Sequence, residues 1–349
     1  MRVLTYKEID REEWNALVKA SATGTWFQTP EAYCFYESMP EFFRPFVVAV
    51  ERVNDLTNER TLRGVCVGYV TVEKSAVKQW LTRRAIIIGG PCLADDCANE
   101  EVSLLLSTLR QQLSTGANAP IYIESRNFND YSRWKDAFAS AGFDYKAHLN
   151  FHVDCRDKEA MWERMSENRR RQVRKAQATV ECLTNEGISE LEVREWYEIL
   201  RMLYRTKVKT PLWPVEFFLE AYRQGVGKFL LVKHEGKVIG GSMVVMSERV
   251  KELGNEGTVY EWFECGLNAD YKEQYPSVMA TWAGMQYANG HVCARYDMMG
   301  AGVPGVPYGV RDFKSEFGGD MVEHGRFLCV CKPLLYKLGV LGVKIFKRK

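Results

Sequence analysis

What the sequence does without narrows its chemistry first. Its ten cysteines are scattered singly and no C-x-x-C occurs. The closest pairs, Cys92 with Cys97 and Cys329 with Cys331, lack companion ligands, so the thiols read as reduced, buried, small hydrophobes. Five isolated histidines offer no cluster either, and no metal is expected. Neither sign of charge is in excess: 47 Lys and Arg against 45 Asp and Glu leave +2, so affinity for nucleic acid or anionic lipid must come from local clusters. Met1 to Asp10 is polar and charged, without an apolar signal core, and no apolar run is long enough to span a bilayer. A reducing cytoplasm is the expected compartment.

What is present is ample core material. At 349 residues, 46% hydrophobic and 12% aromatic, the chain exceeds what one core usually organises, and two domains are expected. The pattern in the first half predicts a strand over Val3–Ile9 and a helix over Glu12–Lys19. Strands then follow over Phe46–Val53, Leu62–Val72 and Trp80–Ile88. A helix over Asn99–Leu113, a strand over Ile121–Glu124, a helix over Tyr131–Ala141 and a strand over Lys146–Asp154 complete that half. The second half repeats the order, with helices over Leu191–Tyr204 and Val215–Gln224, a hairpin over Lys228–Met246, a strand over Val259–Leu267 and a helix over Tyr275–Asn289.

Phe46–Val72 corresponds to Phe229–Met246, Glu101–Glu124 to Ser277–Asp297, and Asp136–Cys155 to Asp312–Cys331. A period near half the chain implies a duplicated α/β unit. The expected boundaries are 1–155 for the first domain and 156–319 for the second, with 320–349 packing back on the first.

The stretch Ala294–Asp320, ARYDMMGAGVPGVPYGVRDFKSEFGGD, stands out. A strand ending in Tyr296 and Asp297 leads into a loop broken by Gly300, Gly302, Gly305 and Gly309, then into a short helix closed by Gly318 and Gly319. Free backbone N–H groups there, with Arg311 and Lys314 nearby, could meet an anion or a polarised carbonyl. A plain surface connection is the other account.

Between the repeats, Asp157–Gln177 predicts a helix with Trp162, Met165, Val173 and Ala176 on one stripe. Arg170, Arg171, Arg174 and Lys175 lie opposite. They suit either phosphate or solvent. Arg169 falls within the apolar stripe, where it needs a structural carboxylate partner or a bound substrate phosphate. The tail, Pro333–Lys349, mixes leucines with lysines, open to peripheral contact with an anionic membrane or to packing on the first domain.

Three of these features together resemble a known family. They are Asn168-Arg169-Arg170-Arg171-Gln172-Val173-Arg174-Lys175-Ala176, Tyr296-Asp297 with Gly300, and Arg311-Asp312-Phe313-Lys314 with Phe317-Gly318. The combination is similar to the Fem-type (FemABX) aminoacyltransferases of peptidoglycan interpeptide bridges and their tandem GNAT-like (BioF2-like) acyltransferase relatives. The resemblance implies an α/β fold of two tandem GNAT-like domains, each a mixed, largely antiparallel sheet flanked by helices. It implies transfer of an amino acid from aminoacyl-tRNA to an amine of a cell-envelope precursor, at the cytoplasm or its membrane face. No cofactor is implied beyond the acyl donor.

By position, Phe313 and Lys314 match the family's Phe-Lys pair, whose lysine stabilises the developing oxyanion. Glu124 matches an acidic residue that could position or deprotonate the attacking amine. Arg169, Arg170, Arg174, Asp297, Tyr308 and Arg311 are the candidate substrate contacts.

Two features depart from the pattern. The motif Trp26-Phe27-Gln28-Thr29-Pro30 runs into Glu31-Ala32-Tyr33-Cys34 without the lysine of relatives that act on nucleotide-linked precursors. The long helical-hairpin insertion of some members is missing. An acyl-CoA or acyl-carrier-protein donor, in surface polysaccharide or lipid synthesis, is the second reading, weakened because Asn268–Ser277 contains no glycine to cradle pyrophosphate. A non-catalytic RNA- or glycan-binding scaffold is the third.

Overall fold

The computed structural model describes every residue except 55, 117–118, 185–186, 249–256 and 348–349, and gives only the backbone for 342–347. Two compact units result. The first holds Met1–His148 and the segment from Glu323 onward; the second begins at Leu149 and ends at Val322.

In the first unit β1 (Arg2–Leu4) precedes α1 (Arg11–Ala20), whose N-terminus is closed by Asp10 accepting from the N–H groups of Glu12 and Glu13. Thr29 caps α2 (Pro30–Glu37), where proline sits at a position that needs no N–H donor. The long strands β2 (Phe43–Val53) and β3 (Arg60–Thr71) pair antiparallel. The expected strand Trp80–Ile88 is corrected: Ser75 caps a helix, α3 (Ala76–Thr82), and only Ala85–Gly89 forms strand β4. Short β5 (Cys92–Leu93) lies beside β3. Helix α4 (Asn99–Ser114) buries Val102, Leu105, Leu106 and Leu109 on one face. Strand β6 (Tyr122–Asn127) then runs parallel to β4, followed by α5 (Lys135–Ser140) and β7 (Asp144–Lys146).

The chain enters the second unit through β8 (Leu149–Asp154), so the boundary falls at His148 rather than at 155. The single helix expected over Asp157–Gln177 is two: α6 (Lys158–Arg164) and α7 (Glu167–Ala176). Ser166 interrupts them because its hydroxyl accepts from the Arg169 N–H and starts a new helix. After β9 (Glu181–Leu183) come α8 (Glu190–Leu203) and α9 (Val215–Arg223). Strands β10 (Lys228–His234) and β11 (Lys237–Ser247) form a hairpin over Glu235 and Gly236, both at positive φ as a tight turn requires. Strand β12 (Gly257–Gly266), the deeply buried α10 (Pro276–Gly290), β13 (Cys293–Asp297), α11 (Gly309–Ser315) and β14 (Asp320–Glu323) complete it. The chain then returns to the first unit as β15 (Arg326–Val330) and α12 (Pro333–Lys347).

The two sheets share one plan. The first runs β1-β2-β3-β4-β6-β15-β7, and the second runs β9-β10-β11-β12-β13-β8-β14. In each, an antiparallel set meets a parallel step, β4 to β6 or β12 to β13, and then an antiparallel neighbour. The duplicated order matches the internal repeat, with one exchange. Strand β8, at the end of the first repeat, enters the second sheet, whereas β15, at the end of the second, enters the first.

Candidate active site

In the second unit β13 ends before its parallel neighbour β12 does. Their pairing covers Gly257–Tyr260 against Cys293–Asp297 and stops there, while β12 continues beside β11 to Gly266. Within that continuation Val244 faces Glu261 and Met243 faces Phe263, leaving Trp262 as the extra residue of a bulge. A bulge shifts side-chain alternation by one, so Glu261 and Glu264, three apart, both meet α10. Glu261 accepts from Thr281 Oγ1 at 3.0 Å and from Tyr296 Oη at 2.7 Å. Gly284 makes room for that Tyr296 ring, since a Cβ there would overlap it.

Burial raises the Glu261 carboxyl, against the pull of Lys314. Glu264 is pushed up to about 8, by burial first and then by repulsion from Glu261, with Ser277 and Lys314 opposing. Its Oε1 is buried without a hydrogen-bond partner among the described residues. Neither glutamate was singled out in the sequence, although an acid inside the apolar run Val259–Cys265 is a legible signal of a perturbed group.

Asp297 ends β13 fully buried. It accepts from Asn150 Nδ2 at 2.7 Å and from the Met299 N–H at 2.8 Å, and its other oxygen lies 3.1 Å from His152 Nε2. Burial alone would raise its pKa; His152, Arg295 and Asn150 hold it below the usual value.

Lys314 is 7% exposed, and its Nζ donates to the carbonyls of Met298, Met299 at 2.7 Å and Gly300 at 3.0 Å. Positive φ at Met299 and Gly300 turns these carbonyls together. Burial lowers the Lys314 pKa, against Glu261, Asp297 and Glu264. All three ammonium hydrogens are therefore engaged, so the expected direct contact with an oxyanion requires release of a carbonyl. Arg311 does similar work further along: its guanidinium donates to Ala301 O at 2.9 Å, Val306 O at 3.0 Å and Val303 O at 2.6 Å. The glycine loop turns its carbonyls toward both cations. Tyr308 is exposed, its ring beside Gly302.

Of the two partners open to Arg169, a carboxylate and a bound phosphate, the structure holds the carboxylate. The Arg169 guanidinium stacks 4.6 Å from the Phe313 ring and 4.9 Å from that of Phe317. It also lies 3.3 Å from Glu316 and donates to Gln172 at 2.8 Å. At 5% exposed it packs α7 on α11, and a ligand could reach it only by prising them apart. Arg170 is half-buried, whereas Arg174 stays exposed, 6.0 Å from the Trp162 ring.

Glu124 belongs to the first unit, where it sits between Arg126 at 2.8 Å and Arg326 at 2.9 Å. Despite burial, those two guanidinium groups hold its carboxyl at about 2, where it is a weak proton acceptor. Gln28, of the Trp-x-Gln motif, bonds the backbone of Val67 and Ile88, an internal brace.

Two sheets of one plan, each with a single parallel step between antiparallel neighbours and flanked by helices, define a tandem GNAT-like fold. The crystal structure of FemX shares this fold at a TM-score of 0.70 and 13% identity, over 97% of this chain and 99% of that one. L-PGS from Bacillus licheniformis does so at 0.54 and 11%, over 97% of both chains. A tandem GNAT protein from the clavulanic acid biosynthesis pathway does so at 0.53 and 10%, over 95% and 98%. At these identities the likeness is one of fold. Comparison with curated sequences gives no match. Residues 254–341 match the model of the FemAB family. Among the described residues no helix is long and apolar enough to cross a membrane, and no acidic, histidine or cysteine group could hold a metal.

Proposed function

We propose that the second unit transfers an acyl group, carried as an aminoacyl-tRNA ester, to a primary amine of a cell-envelope precursor. The observation that carries this reading is the buried cluster beside β12 and α10, in which Glu261 accepts from Thr281 and Tyr296, Glu264 buries its Oε1 on the same strand, and carbonyls 298–300 gather the Lys314 ammonium. Aminolysis needs a proton acceptor for the attacking amine and positive charge for the carbonyl oxygen. A carboxyl titrating near 8 suits the first need, and a lysine charge in a low-dielectric setting suits the second.

The start of α10 supports tRNA over CoA. Its first position is Pro276, which has no N–H, and the N–H of Ser277 is already taken by Asn268 Oδ1 at 3.1 Å. A pyrophosphate would therefore find two of its usual donors missing. The exposed Arg171 and Arg174 of α7 suit the phosphates of a nucleic acid. A peptidoglycan precursor as acceptor rests on the resemblance of the quoted motifs.

The test is purified protein with labelled aminoacyl-tRNA or labelled acyl-CoA against a panel of amines. Amide formed from the tRNA ester alone supports the reading; transfer from CoA alone sinks the donor assignment. RNA binding without transfer from either donor would make the protein a scaffold. Lys314→Ala should lower turnover roughly 100-fold or more.

A further inference from the structure

Two helices of the first unit carry more apolar surface than their packing uses. Helix α12 lies against α3. On α12 the side chains of Leu334, Leu338 and Leu341 are 79%, 64% and 56% exposed, at the i, i+4, i+7 spacing of a single helix face. The opposite face is the one in use: Leu335 and Tyr336 are half-buried, and the Tyr336 ring meets Tyr122 at 5.7 Å. On α3, Val77, Trp80 and Leu81 are 69%, 54% and 50% exposed. Apolar surface gathered in this way is costly in water and marks a contact.

The charges around it indicate what the contact is. From Lys332 to Lys349 the chain has six cations, Lys332, Lys337, Lys344, Lys347, Arg348 and Lys349, and no acid. Lys74 precedes α3, and Lys78 lies on it, 2.8 Å from Glu73. A second copy of the chain would bring the same cations against these. An anionic lipid surface brings the opposite charge. Trp80 adds a side chain suited to the boundary between headgroups and acyl chains.

We propose that α3 and α12 form a platform that seats the first unit on an anionic membrane. Neither helix crosses the bilayer; the outer leucines and Trp80 enter the headgroup boundary while Lys74, Lys332 and Lys337 meet lipid phosphates. Binding is independent of the transfer reaction and would stand if that reading fell. It would hold the protein where an envelope precursor attached to lipid is made.

Flotation of the full chain with vesicles tests this. The parent should rise with vesicles of mixed phosphatidylcholine and phosphatidylglycerol, remain behind with phosphatidylcholine alone, and lose binding as salt is raised. Leu334→Glu with Leu338→Glu should reduce the bound fraction about tenfold or more with the circular dichroism spectrum unchanged. Leu334→Ser with Leu338→Ser, which adds no charge, should also weaken it. The proposal falls if the parent ignores anionic vesicles or if the glutamate variant binds them as well as the parent. It also falls if sedimentation shows a dimer held through α12 that vesicles do not displace.

Discussion

Glu124 and Glu264 are both glutamates on sheet strands, and their neighbours drive them in opposite directions. Two guanidinium groups hold Glu124 at about 2, below the unfolded value near 4.5, so its ion pairs stabilise the fold above that value. The stabilisation is lost as pH falls from about 4.5 toward 2, and its full size is on the order of 3 kcal/mol. Glu264, held at about 8, has the reverse sign. Its neutral form suits the fold, so stability is greatest below about 4.5 and declines as pH rises toward 8. Glu264→Gln should therefore gain stability relative to the parent across that interval, by a few kcal/mol at most. Urea unfolding at several pH values measures the difference; a constant gap between the two proteins would contradict the shift. The same variant should slow amide formation and flatten its rise with pH near neutrality.

At this scale the sequence showed which residues carry charge and little of what surrounds them. Lys314 and Arg311 were visible as cations beside a glycine loop, but their engagement with six loop carbonyls depends on backbone turns no spacing reveals. Arg169 in an apolar stripe is open to either a ligand or an ion pair, and its neighbours Phe313, Glu316 and Phe317, far along the chain, could not be read from spacing.

Helix α11 acts on the loop before it as a clasp. Lys314 gathers carbonyls 298–300 and Arg311 gathers 301, 303 and 306, so the loop's shape depends on two side chains one helical turn apart. Arg311→Ala frees three carbonyls and should speed amide exchange over 300–308 while leaving the buried α10 protected. Unchanged exchange would show that the loop holds its shape without the arginine. The helix end is equally constrained. Gly318 has φ +75°, and a Cβ there would overlap the Arg164 carbonyl. Gly318→Ala should cost about 1–3 kcal/mol in denaturant unfolding. Hydrophobic periodicity located most elements and missed α3, because Val77, Trp80 and Leu81 look like strand residues and only Ser75 marks a helix start. A helix whose apolar residues face solvent offers no buried stripe to recognise.

For the whole chain the decisive feature is the exchange of closing strands. The repeat was legible, since the segments ending at Cys155 and Cys331 align, yet nothing in their alternating pattern says which sheet each will join. Strand β15 pairs with β6 on one side and β7 on the other, and supplies Arg326 to Glu124. Ending the chain at Val322 would therefore remove an interior strand from the first sheet, leaving β6 with an unpaired edge, β7 without the strand it pairs with and Glu124 with one arginine fewer. Every strand of the second sheet would survive but for the last residue of β14. The truncated protein should lose protection from amide exchange throughout β2, β3 and β6 while β10 to β13 remain protected. Loss of protection in both sheets together would mean that the two units fold as one cooperative body. Survival of β6 would mean that the returning strand is an ornament to a sheet already complete. The first outcome would explain the arrangement physically: with its penultimate strand supplied last, the first unit cannot close until the second has been made.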